Sequence, residues 1–516
     1  MTDIDAYAQQ EFGTFSDMIR LQAKARPSHT AIIQGDRRIG YAGLDALADR
    51  VAATLQREGV AQEDAVAICA LASIEYAAAF IGTLRAGAAV TPLAPSSTAE
   101  SLAVMLEDSG AKLLFLDAET AATLAPVTSR LSAPRVALDA SDAGEPLEGW
   151  LAPEGTTPWA VQVRPEAAFN IIYSSGTTGA PKGIVQSHRM RWAHVSRGSA
   201  SGYGADAVAM IATPLYSNTT LVSFIPALAG GGTVVLLPKF DASRYLQLAE
   251  THRATHAMLV PVQYRRLMGH PDFDRYDLSS FRMKFATSAP FPAALKADVL
   301  KRWPGGLVEY FGMTEGGGSC MLVAHEHPDK LHTVGRPMPG HEMRLIDEEG
   351  RELPPGEVGE IVGHSPAIMN GYHNKPDKTA EATWLDAEGR RFIRTGDMGR
   401  FDEDGFLTLM DRKKDMIISG GFNVYPSDLE AVLLQHPDVV EAAVVGVASD
   451  RWGETPVAFA VARGDVTGET LRAWANARLG KMQRLADVAL VDALPRSHIG
   501  KVLKRELRDG YSAAVA

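Results

Sequence analysis

The chain contains 516 residues, of which 46% are hydrophobic and 22% charged, and its formal net charge is −11. This length predicts about two or three domains, and the acidic balance argues against nucleic acid as the main partner, because neutralising a phosphate backbone needs a basic face. The two cysteines, Cys69 and Cys320, are far apart in sequence and predict neither a disulfide framework nor a cysteine-based zinc site.

Two stretches bear on targeting and membranes. Residues 1–12 are acidic and polar, unlike a signal peptide. Residues 219–238 carry no charge, but Pro226 and three consecutive glycines interrupt them, so we predict a buried helix, a turn and a strand rather than a membrane span. We expect a cytoplasmic protein without stable membrane insertion, and the sequence does not separate a monomer from a homodimer.

Apolar strands and amphipathic helices largely alternate between residues 52 and 404. A predicted capping box, Ser97 to Glu100, opens a helix that runs to Glu107. Further helices are predicted early in residues 219–238, at 243–252 and at 292–303. Strands are predicted at residues 65–69, 112–116, 169–173, 207–212, 233–237, 256–260, 283–287 and 307–311. This alternation predicts an α/β fold with doubly wound, mostly parallel sheets that bind ligands at the carboxyl ends of their strands.

The pattern changes after residue 335. Short alternating runs between Gly/Pro turns predict a small β-barrel-like subdomain over about residues 335–410. The charged run at residues 411–415 then predicts a hinge. We therefore predict a large N-terminal domain, residues 1–410, and a small, mobile α+β domain, residues 411–516.

A glycine- and hydroxyl-rich segment, residues 173–183, follows one predicted strand. Glycines let successive backbone N–H groups turn toward an anion, and hydroxyls and a lysine add donors, so the segment predicts a phosphate loop. It is not a Walker A loop, because Ala180 and Pro181 separate Gly179 from Lys182. The candidate phosphate-binding residues are Ser174, Ser175, Gly176, Thr177, Thr178, Gly179 and Lys182.

A second motif closes the strand at residues 307–311. An aromatic side chain there can stack on a base, the Thr314 hydroxyl can bind a phosphate, and the Glu315 carboxylate can hold Mg²⁺. Its candidate nucleotide-binding residues are Tyr310, Phe311, Gly312, Met313, Thr314 and Glu315.

Three further motifs supply a charged side chain or a glycine that leaves space for a ligand. Asp397 follows a tight turn, where its carboxylate can accept bonds from the vicinal hydroxyls of a ribose. Arg412 can reach ribose or phosphate, and Gly421 leaves room for a passing ligand. Lys501, in a glycine-opened loop, can bring a positive charge to an anion.

Each motif is common by itself, but together and in this order they resemble the adenylate-forming superfamily, and most closely its acyl- and aryl-CoA synthetase branch. The resemblance implies that ATP, with Mg²⁺, activates a carboxylic acid as acyl-AMP and that CoA then displaces AMP. It implies that residues 174–182 hold phosphates, Thr314 touches the α-phosphate and Glu315 holds the metal.

The resemblance also implies roles for residues outside the two main motifs. Phe311 would stack on adenine opposite Ser288, Ala289 and Pro290, and Asp397 with Arg412 would bind ribose. Lys501 would bridge the attacking carboxylate and the α-phosphate. Lys414 would be the hinge and Gly421 would line the CoA tunnel.

Two positions depart from the family pattern. Ile499 stands where relatives usually have Ser or Thr, and Ser217 stands where many have His beside the acyl pocket. Tyr216, Ser217, Met258 and Val260 are the candidate pocket residues, with Met313 beside them. They predict a hydrophobic acid, either a hydroxycinnamate-like aromatic acid or a medium- to long-chain fatty acid. No aspartate for an amino group and no pocket arginine for a malonate-like diacid can be assigned.

Two other functions stay open at this point. The first is a stand-alone adenylation enzyme that loads a carrier protein instead of CoA. The second is a non-catalytic nucleotide-binding relative, which Lys182, Glu315, Asp397 and Lys501 disfavour.

Overall fold

The computed structural model describes residues 3–174, 181–412, 415–419, 422–449, 452–480, 483–496 and 502–515. The chain folds into two compact units. The first comprises Met1–Leu331, Pro337–Glu342 and Gly363–Ile393, and the second comprises His332–Arg336, Met343–Val362 and Arg394–Ala516. The domain boundary at residue 411 stays a prediction.

Helices occur throughout both units. In chain order they are α1 (Asp3–Ala8), α2 (Phe15–Ala25), α3 (Tyr41–Arg57), α4 (Ile74–Arg85), α5 (Ala99–Ser109), α6 (Ala118–Leu124), α7 (Leu147–Trp150), α8 (His188–Arg197), α9 (Asn218–Ala229), α10 (Ala242–Thr251), α11 (Pro261–Met268), α12 (Ala293–Arg302), α13 (Pro376–Glu381), α14 (Pro426–Leu433), α15 (Gly468–Asn476) and α16 (Lys504–Val515).

Most strands are short, and the longest are β21, β25 and β26 in the second half of the chain. Up to residue 311 they are β1 (Thr30–Gln34), β2 (Arg37–Gly40), β3 (Ala65–Cys69), β4 (Ala89–Pro92), β5 (Leu114–Leu116), β6 (Arg135–Ala137), β7 (Glu145–Pro146), β8 (Ala168–Ser174), β9 (Lys182–Ser187), β10 (Val208–Ile211), β11 (Thr233–Leu236), β12 (His256–Leu259), β13 (Met283–Ala286) and β14 (Gly306–Phe311). Beyond it they are β15 (Cys320–Val323), β16 (Arg336–Pro337), β17 (Glu342–Ile346), β18 (Gly359–His364), β19 (Gly371–Tyr372), β20 (Thr383–Leu385), β21 (Arg391–Phe401), β22 (Leu407–Arg412), β23 (Ile417–Ser419), β24 (Phe422–Val424), β25 (Val439–Ser449), β26 (Gly453–Ala462) and β27 (Asp487–Leu490).

Two large sheets confirm the predicted α/β class. The nine-stranded sheet has the order β16-β15-β14-β13-β12-β10-β11-β1-β2, and the eight-stranded sheet has the order β19-β9-β8-β4-β3-β5-β6-β7. Their central pairs are parallel, and antiparallel pairs such as β14 with β15 and β8 with β9 lie toward the edges. The helices between successive strands supply the crossovers that parallel pairing requires.

The β-rich region is an open sheet, not the barrel-like subdomain that the sequence predicts. Its strands follow the order β17-β18-β21-β20, with β22 beside β21, and the described strands close no ring. The sequence pattern indicates alternation and turns, which an open sheet and a barrel share, so it could not separate the two. In the C-terminal part, a sheet of order β24-β23-β26-β25, with β27 beside β26, is accompanied by α14, α15 and α16.

Most predicted elements lie within two residues of their observed positions, and the main local error is a helix cap. Helix α5 begins one residue later than predicted, and its N-cap is Thr98, whose Oγ1 accepts a hydrogen bond from the Ser101 N–H at 3.3 Å. Ser97 therefore does not open the helix. The uncharged stretch folds as predicted into the buried helix α9 and strand β11, and no helix in the described ranges is long and apolar enough to cross a bilayer.

Both cysteines lie in the interior, on strands β3 and β15. Cys69 and Cys320 have exposed fractions of 0%. Burial raises the pKa of the Cys69 thiol to about 12 and that of Cys320 further, because a thiolate loses its hydration there. Both are packing residues.

Candidate active site

The two ends of the predicted phosphate loop form an antiparallel hairpin. Strands β8 and β9 pair so that Ser174 lies opposite Lys182. Ser175, Gly176, Thr177, Thr178 and Gly179 lie outside the described residues. The hairpin brings the first hydroxyl and the lysine of the segment to the same end of the sheet.

Lys182 and Glu315 both contact the side chain of Tyr372. The Lys182 Nζ lies 5.2 Å from the centroid of the Tyr372 ring, and the Tyr372 hydroxyl donates to Glu315 Oε1 at 2.8 Å. Burial and the nearby Glu315 carboxylate raise the pKa of Tyr372. This tyrosine therefore stays protonated and fixes one carboxylate oxygen, while the cation lies over its ring face. The sequence motifs assign Tyr372 no role.

The backbone around Glu315 is held by a close approach between two segments. The Met369 N–H donates to the Glu315 carbonyl at 2.8 Å, and Gly316 bridges Ile368. Gly316 has φ +75°, and a Cβ there would lie 2.0 Å from the Ala367 carbonyl oxygen. Only glycine fits this position, so the glycine after the carboxylate is part of what positions it.

A buried polar network holds Thr314. The Gln186 Nε2 donates to the Thr314 carbonyl at 2.6 Å. The Gln186 Oε1 accepts from Asn170 Nδ2 at 2.9 Å and from Arg191 Nη2, and Arg191 Nε donates to Asn170 Oδ1 at 3.1 Å. These three side chains are at most 1% exposed. No sequence motif indicates this network, for which the only signal is polar residues inside otherwise apolar strands.

Ser288 joins the end of β13 to helix α9. Its Oγ lies 2.5 Å from Thr219 Oγ1, and its φ of +81° is unusual for a residue with a side chain. Ala289 is half-buried and Pro290 exposed. The Ser288 to Pro290 segment thus leaves β13 at the carboxyl end of the strand, where doubly wound sheets bind ligands.

Tyr310 lies on the face of the nine-stranded sheet that carries the candidate acyl-pocket residues. Met258 pairs with Phe285, and Phe285 with Val308, so these three side chains share a face. Tyr310, two residues beyond Val308, places its ring 6.0 Å from that of Phe285. Phe311, the next residue, is half-buried and belongs to the opposite face by alternation. The side chains of Tyr310 and Phe311 therefore lie on opposite faces of the sheet.

The remaining candidate pocket residues lie around the start of α9 and the end of β12. Met258 and Val260 are 2% and 4% exposed. Ser217 occupies the N-cap position of α9, but its side chain makes no capping hydrogen bond. Tyr216 is half-buried; burial raises the pKa of its hydroxyl, and a hydrogen bond from Ser96 opposes the rise. Met313 is half-buried near Ile184, Met369 and Ile393.

In the second unit, Asp397 and Arg412 face each other on adjacent strands. They are register partners on β21 and β22, and Arg412 Nε lies 3.2 Å from Asp397 Oδ1. The Asp397 N–H donates to Thr395 Oγ1 at 3.0 Å, and that hydroxyl donates to the Ile361 carbonyl at 2.8 Å. The aspartate backbone is thus anchored to the sheet. Lys414, Gly421, Ile499 and Lys501 lie outside the described residues.

The acidic side chains of the site are suited to a metal ion that binds together with a nucleotide. No group of three or more His, Cys, Asp or Glu side chains in the described ranges is arranged to hold a metal ion. Mg²⁺ is usually held by one or two carboxylates together with substrate phosphates, and Glu315 is the candidate for such a carboxylate. The residues present therefore fit a magnesium–nucleotide complex.

Comparisons with known proteins give matches over most of the chain. A model of the AMP-binding enzyme family matches residues 19–373, and one of the AMP-binding enzyme C-terminal domain matches residues 428–501. An indoleacetate–CoA ligase from Aromatoleum aromaticum is 35% identical and covers 96% of this chain and 97% of its own. A fatty acid–acyl-carrier-protein ligase, ScoC of Streptomyces coeruleorubidus, is 33% identical and covers 98% of both chains.

The fold agreement extends over the whole length. The crystal structure of ATP-bound MatB from Rhodopseudomonas palustris matches with a TM-score of 0.87 at 30% identity, covering 98% of this chain and 100% of that one. Sequence and fold comparisons therefore indicate the same group of proteins.

Proposed function

The chain belongs to the AMP-binding enzyme family, and from that premise we propose that it is an AMP-forming ligase that joins a hydrophobic carboxylic acid to CoA. The observation that carries the proposal is the group formed by Lys182, Tyr372 and Glu315 beside Thr314. In it, the Lys182 ammonium at the start of β9 and the Glu315 carboxylate, the candidate metal ligand, contact the same tyrosine. These are the charges that an ATP–Mg²⁺ complex needs.

In the first half-reaction a carboxylate oxygen attacks the α-phosphorus of ATP. The new bond is the mixed anhydride of acyl-AMP, and the bond to pyrophosphate breaks. No general base is required, since the acid is already ionised at neutral pH. Two anions must meet, so cations stabilise the transition state. We assign that task to Lys501, with Lys182 and the 174–180 segment on the β- and γ-phosphates.

Other residues of the site would bind the nucleotide. Thr314 would donate to the α-phosphate, and Glu315 would hold Mg²⁺, which neutralises charge on the phosphates when bound. Phe311, Gly312 and the Ser288 to Pro290 segment would enclose adenine. We assign the ribose hydroxyls to Asp397 and Arg412, which resembles the use of acidic residues at ribose in dinucleotide sites. The sequence predicts Tyr310 among the nucleotide-binding residues, and we assign it instead to the acyl pocket because it shares a sheet face with Met258.

In the second half-reaction the CoA thiol would attack the acyl carbonyl, and AMP would leave with the electron pair of the broken C–O bond. Lys414 as hinge and Gly421 as tunnel residue remain predictions from the family resemblance. The buried apolar side chains of Met258 and Val260 support a hydrophobic acid as the substrate. The relatives act on an indole acid and on fatty acids.

A second function is supported by one specific observation. The relative from Streptomyces coeruleorubidus ligates fatty acids to an acyl-carrier protein and matches this chain over nearly its full length. The acceptor in the second step would then be a carrier-protein phosphopantetheine thiol. The first half-reaction and its residues would be unchanged.

The first test is a panel of aromatic and aliphatic acids with ATP and Mg²⁺, with and without CoA. AMP and the acyl-CoA are measured by mass. The proposal predicts AMP release that depends on the acid and an equimolar amount of thioester. Acyl-adenylate formed without thioester would favour the carrier-protein alternative, and no AMP with any acid would contradict both.

Lys501→Ala separates the two half-reactions. Because the lysine would act only where the carboxylate and the α-phosphate meet, we expect adenylate formation to fall at least about 100-fold. Thioester formation from a supplied acyl-adenylate should change by less than about threefold.

The matched control is Lys301→Ala, which removes an exposed lysine of helix α12 and should leave both rates unchanged. Equal loss of both half-reactions in Lys501→Ala would contradict the assigned role.

A further inference from the structure

Four basic side chains cluster around helix α8, three of them on the helix and the fourth, His341, beside its last residue. Arg197 Nη1 lies 3.1 Å from His341 Nε2, and the Arg197 Nε donates to the Ala193 carbonyl at 2.9 Å. His194 is electrostatically coupled to Arg191, Arg197 and His341. We call Arg191, His194, Arg197 and His341 the basic cluster. Neither arginine forms an ion pair with any carboxylate in the described ranges.

The basic cluster retains hydrogen-bonding capacity that no group in the described part of the chain uses. Arg191 is 1% exposed, and its Nη1 has no partner among the described residues; the same holds for the buried Nδ1 atoms of His194 and His341. Because Arg197 can only donate, His341 Nε2 must accept, so Nδ1 of the neutral ring carries the proton. Burial lowers the pKa of His341 to about 4, which keeps it neutral. A buried donor without an acceptor is costly.

The cluster borders the candidate acyl pocket through Tyr310. Burial raises the pKa of Tyr310, while a hydrogen bond with Ser201 and the nearby Arg197 charge oppose the rise. Tyr310 shares its sheet face with Met258 and Phe285, as the strand register shows. A hydroxyl and a guanidinium therefore adjoin the surface that an acyl group would contact. Met258, Phe285 and Val308 make this surface largely apolar, and His256 lies on the same face with its ring stacked on that of Phe285.

A role as a helix cap does not account for all the contacts of Arg197. Arg197 is the last residue of α8, and its Nε bond to a carbonyl of the last turn is ordinary capping. Capping does not explain why its Nη1 donates to a histidine, or why the Nδ1–H of that histidine and the Arg191 Nη1 have no acceptor in the described ranges. An oxygen atom of a bound molecule would satisfy these donors.

We propose that Arg197, His341 and Tyr310 bind an oxygen acceptor, a carboxylate or carbonyl group, that the acid carries away from the carboxylate it activates. The inference rests on the proposed ligase function and narrows its substrate. The acid would be hydrophobic along its length but not a plain hydrocarbon. This differs from the prediction from sequence, in which no arginine could be assigned to the pocket.

The test compares pairs of acids that differ only at the remote end, such as cinnamates with a para-methyl or para-carboxylate group and alkanoates with or without an ω-oxo group. AMP release is measured with ATP, Mg²⁺ and CoA. We expect the acceptor-bearing member of at least one pair to have a kcat/KM about tenfold or more above that of its partner.

Arg197→Met should remove that preference while leaving kcat/KM for the plain acid within about threefold, and Arg197→Lys should restore part of it. The matched control is Arg189→Met on the same helix, a residue whose side chain is 42% exposed and pairs with the Glu166 carboxylate. It should keep the full preference. Should Arg197→Met fail to fold, Tyr310→Phe removes a single hydroxyl donor with little change in volume and should reduce the preference.

Two results would overturn the inference. Equal kcat/KM within every pair, unchanged in the Arg197 variants, would refute the acceptor site while AMP release still upheld the ligase. A complete lack of AMP release with all acids would refute the ligase and, with it, this inference.

Discussion

At the scale of single residues, the site depends on contacts between segments far apart in the chain. The Tyr372 to Glu315 hydrogen bond joins residues 57 positions apart, and the Gln186 to Thr314 bond joins residues 128 apart. Thr314, Glu315 and Lys182 can be predicted as site residues from sequence because local motifs carry them. Tyr372, Gln186 and Arg191 cannot, since their roles arise from partners that no local pattern reveals.

The close approach at Gly316 predicts the effect of adding a methyl group there. Gly316→Ala would place a Cβ against the Ala367 carbonyl, so the chain around Glu315 must shift. We expect the apparent affinity for Mg²⁺–ATP to fall at least about tenfold, because the carboxylate would be displaced. Mg²⁺ titrations of the adenylation rate measure this.

The matched control is Gly389→Ala. Gly389 has φ +76°, almost that of Gly316, but nothing lies within 4 Å of the point that a Cβ would occupy. It should lose about 1–2 kcal/mol of stability from backbone strain and keep its affinity for the nucleotide. Equal effects of the two substitutions on Mg²⁺–ATP would show that strain, not the close approach, is responsible.

At the scale of elements, helix α12 is attached to strand β14 by a buried ion pair. Lys296 pairs with Glu309, and its Nζ also donates to the Leu331 carbonyl at 2.8 Å. The two side chains are 2% and 5% exposed. Burial raises the pKa of Glu309 to about 7, and the Lys296 charge opposes that rise. The carboxylate is tolerated there because the ammonium is beside it.

Removing one member of this ion pair should destabilise the protein more than removing both members. Lys296→Met leaves a buried carboxylate without a partner, and we expect a loss of about 3–5 kcal/mol. The double variant Lys296→Met with Glu309→Leu should recover most of that loss. Urea unfolding followed by circular dichroism measures both, with Lys301→Met on the same helix as the exposed control. A double variant as unstable as the single one would contradict this.

Element positions are largely predictable from sequence, because burial periodicity and glycine turns are local. An uncharged run interrupted by glycines places helix α9 and strand β11 within two residues. The cap of α5 is mispredicted because Ser97 and Thr98 are both good caps and only the backbone decides between them. The sequence indicates a barrel where the protein has the open β17 to β22 sheet, because closure depends on strand order.

At the scale of the whole molecule, alternation of strands and helices predicts parallel pairing but not the number of sheets. Strands β3 to β9 and β10 to β15 lie in separate sheets, although nothing in their individual sequences distinguishes the two groups. Which strands become neighbours is decided by how helices pack between them. That is a property of the complete fold.

Buried histidines give the molecule a predictable response to acid. Burial lowers the pKa of His188, His256 and His341 to about 4 and that of His194 further, whereas an unfolded histidine has a pKa near 6.5. Unfolding therefore takes up protons below pH 6.5. Stability should be full above pH 6.5 and fall as the pH drops toward 4, by up to about 1.4 kcal/mol per pH unit for each fully buried ring.

Urea unfolding between pH 8 and 4.5 measures that slope. His256→Phe, which removes a ring that is 0% exposed and stacked on Tyr203, should reduce the slope by about one proton. Little change is expected between pH 7 and 8. A stability that stayed constant down to pH 5 would contradict neutral histidines in the folded state.

The two interior cysteines have a practical consequence for watching the reaction. A disulfide reagent reacts with thiolates, and both protein thiols are out of contact with water and protonated at neutral pH. In a mixture of enzyme, ATP, acid and CoA, such a reagent would therefore report the coenzyme thiol alone. Thioester formation can then be followed as the loss of free CoA thiol, measured by the colour that the reagent produces. The measurement uses the native enzyme, and no cysteine has to be replaced.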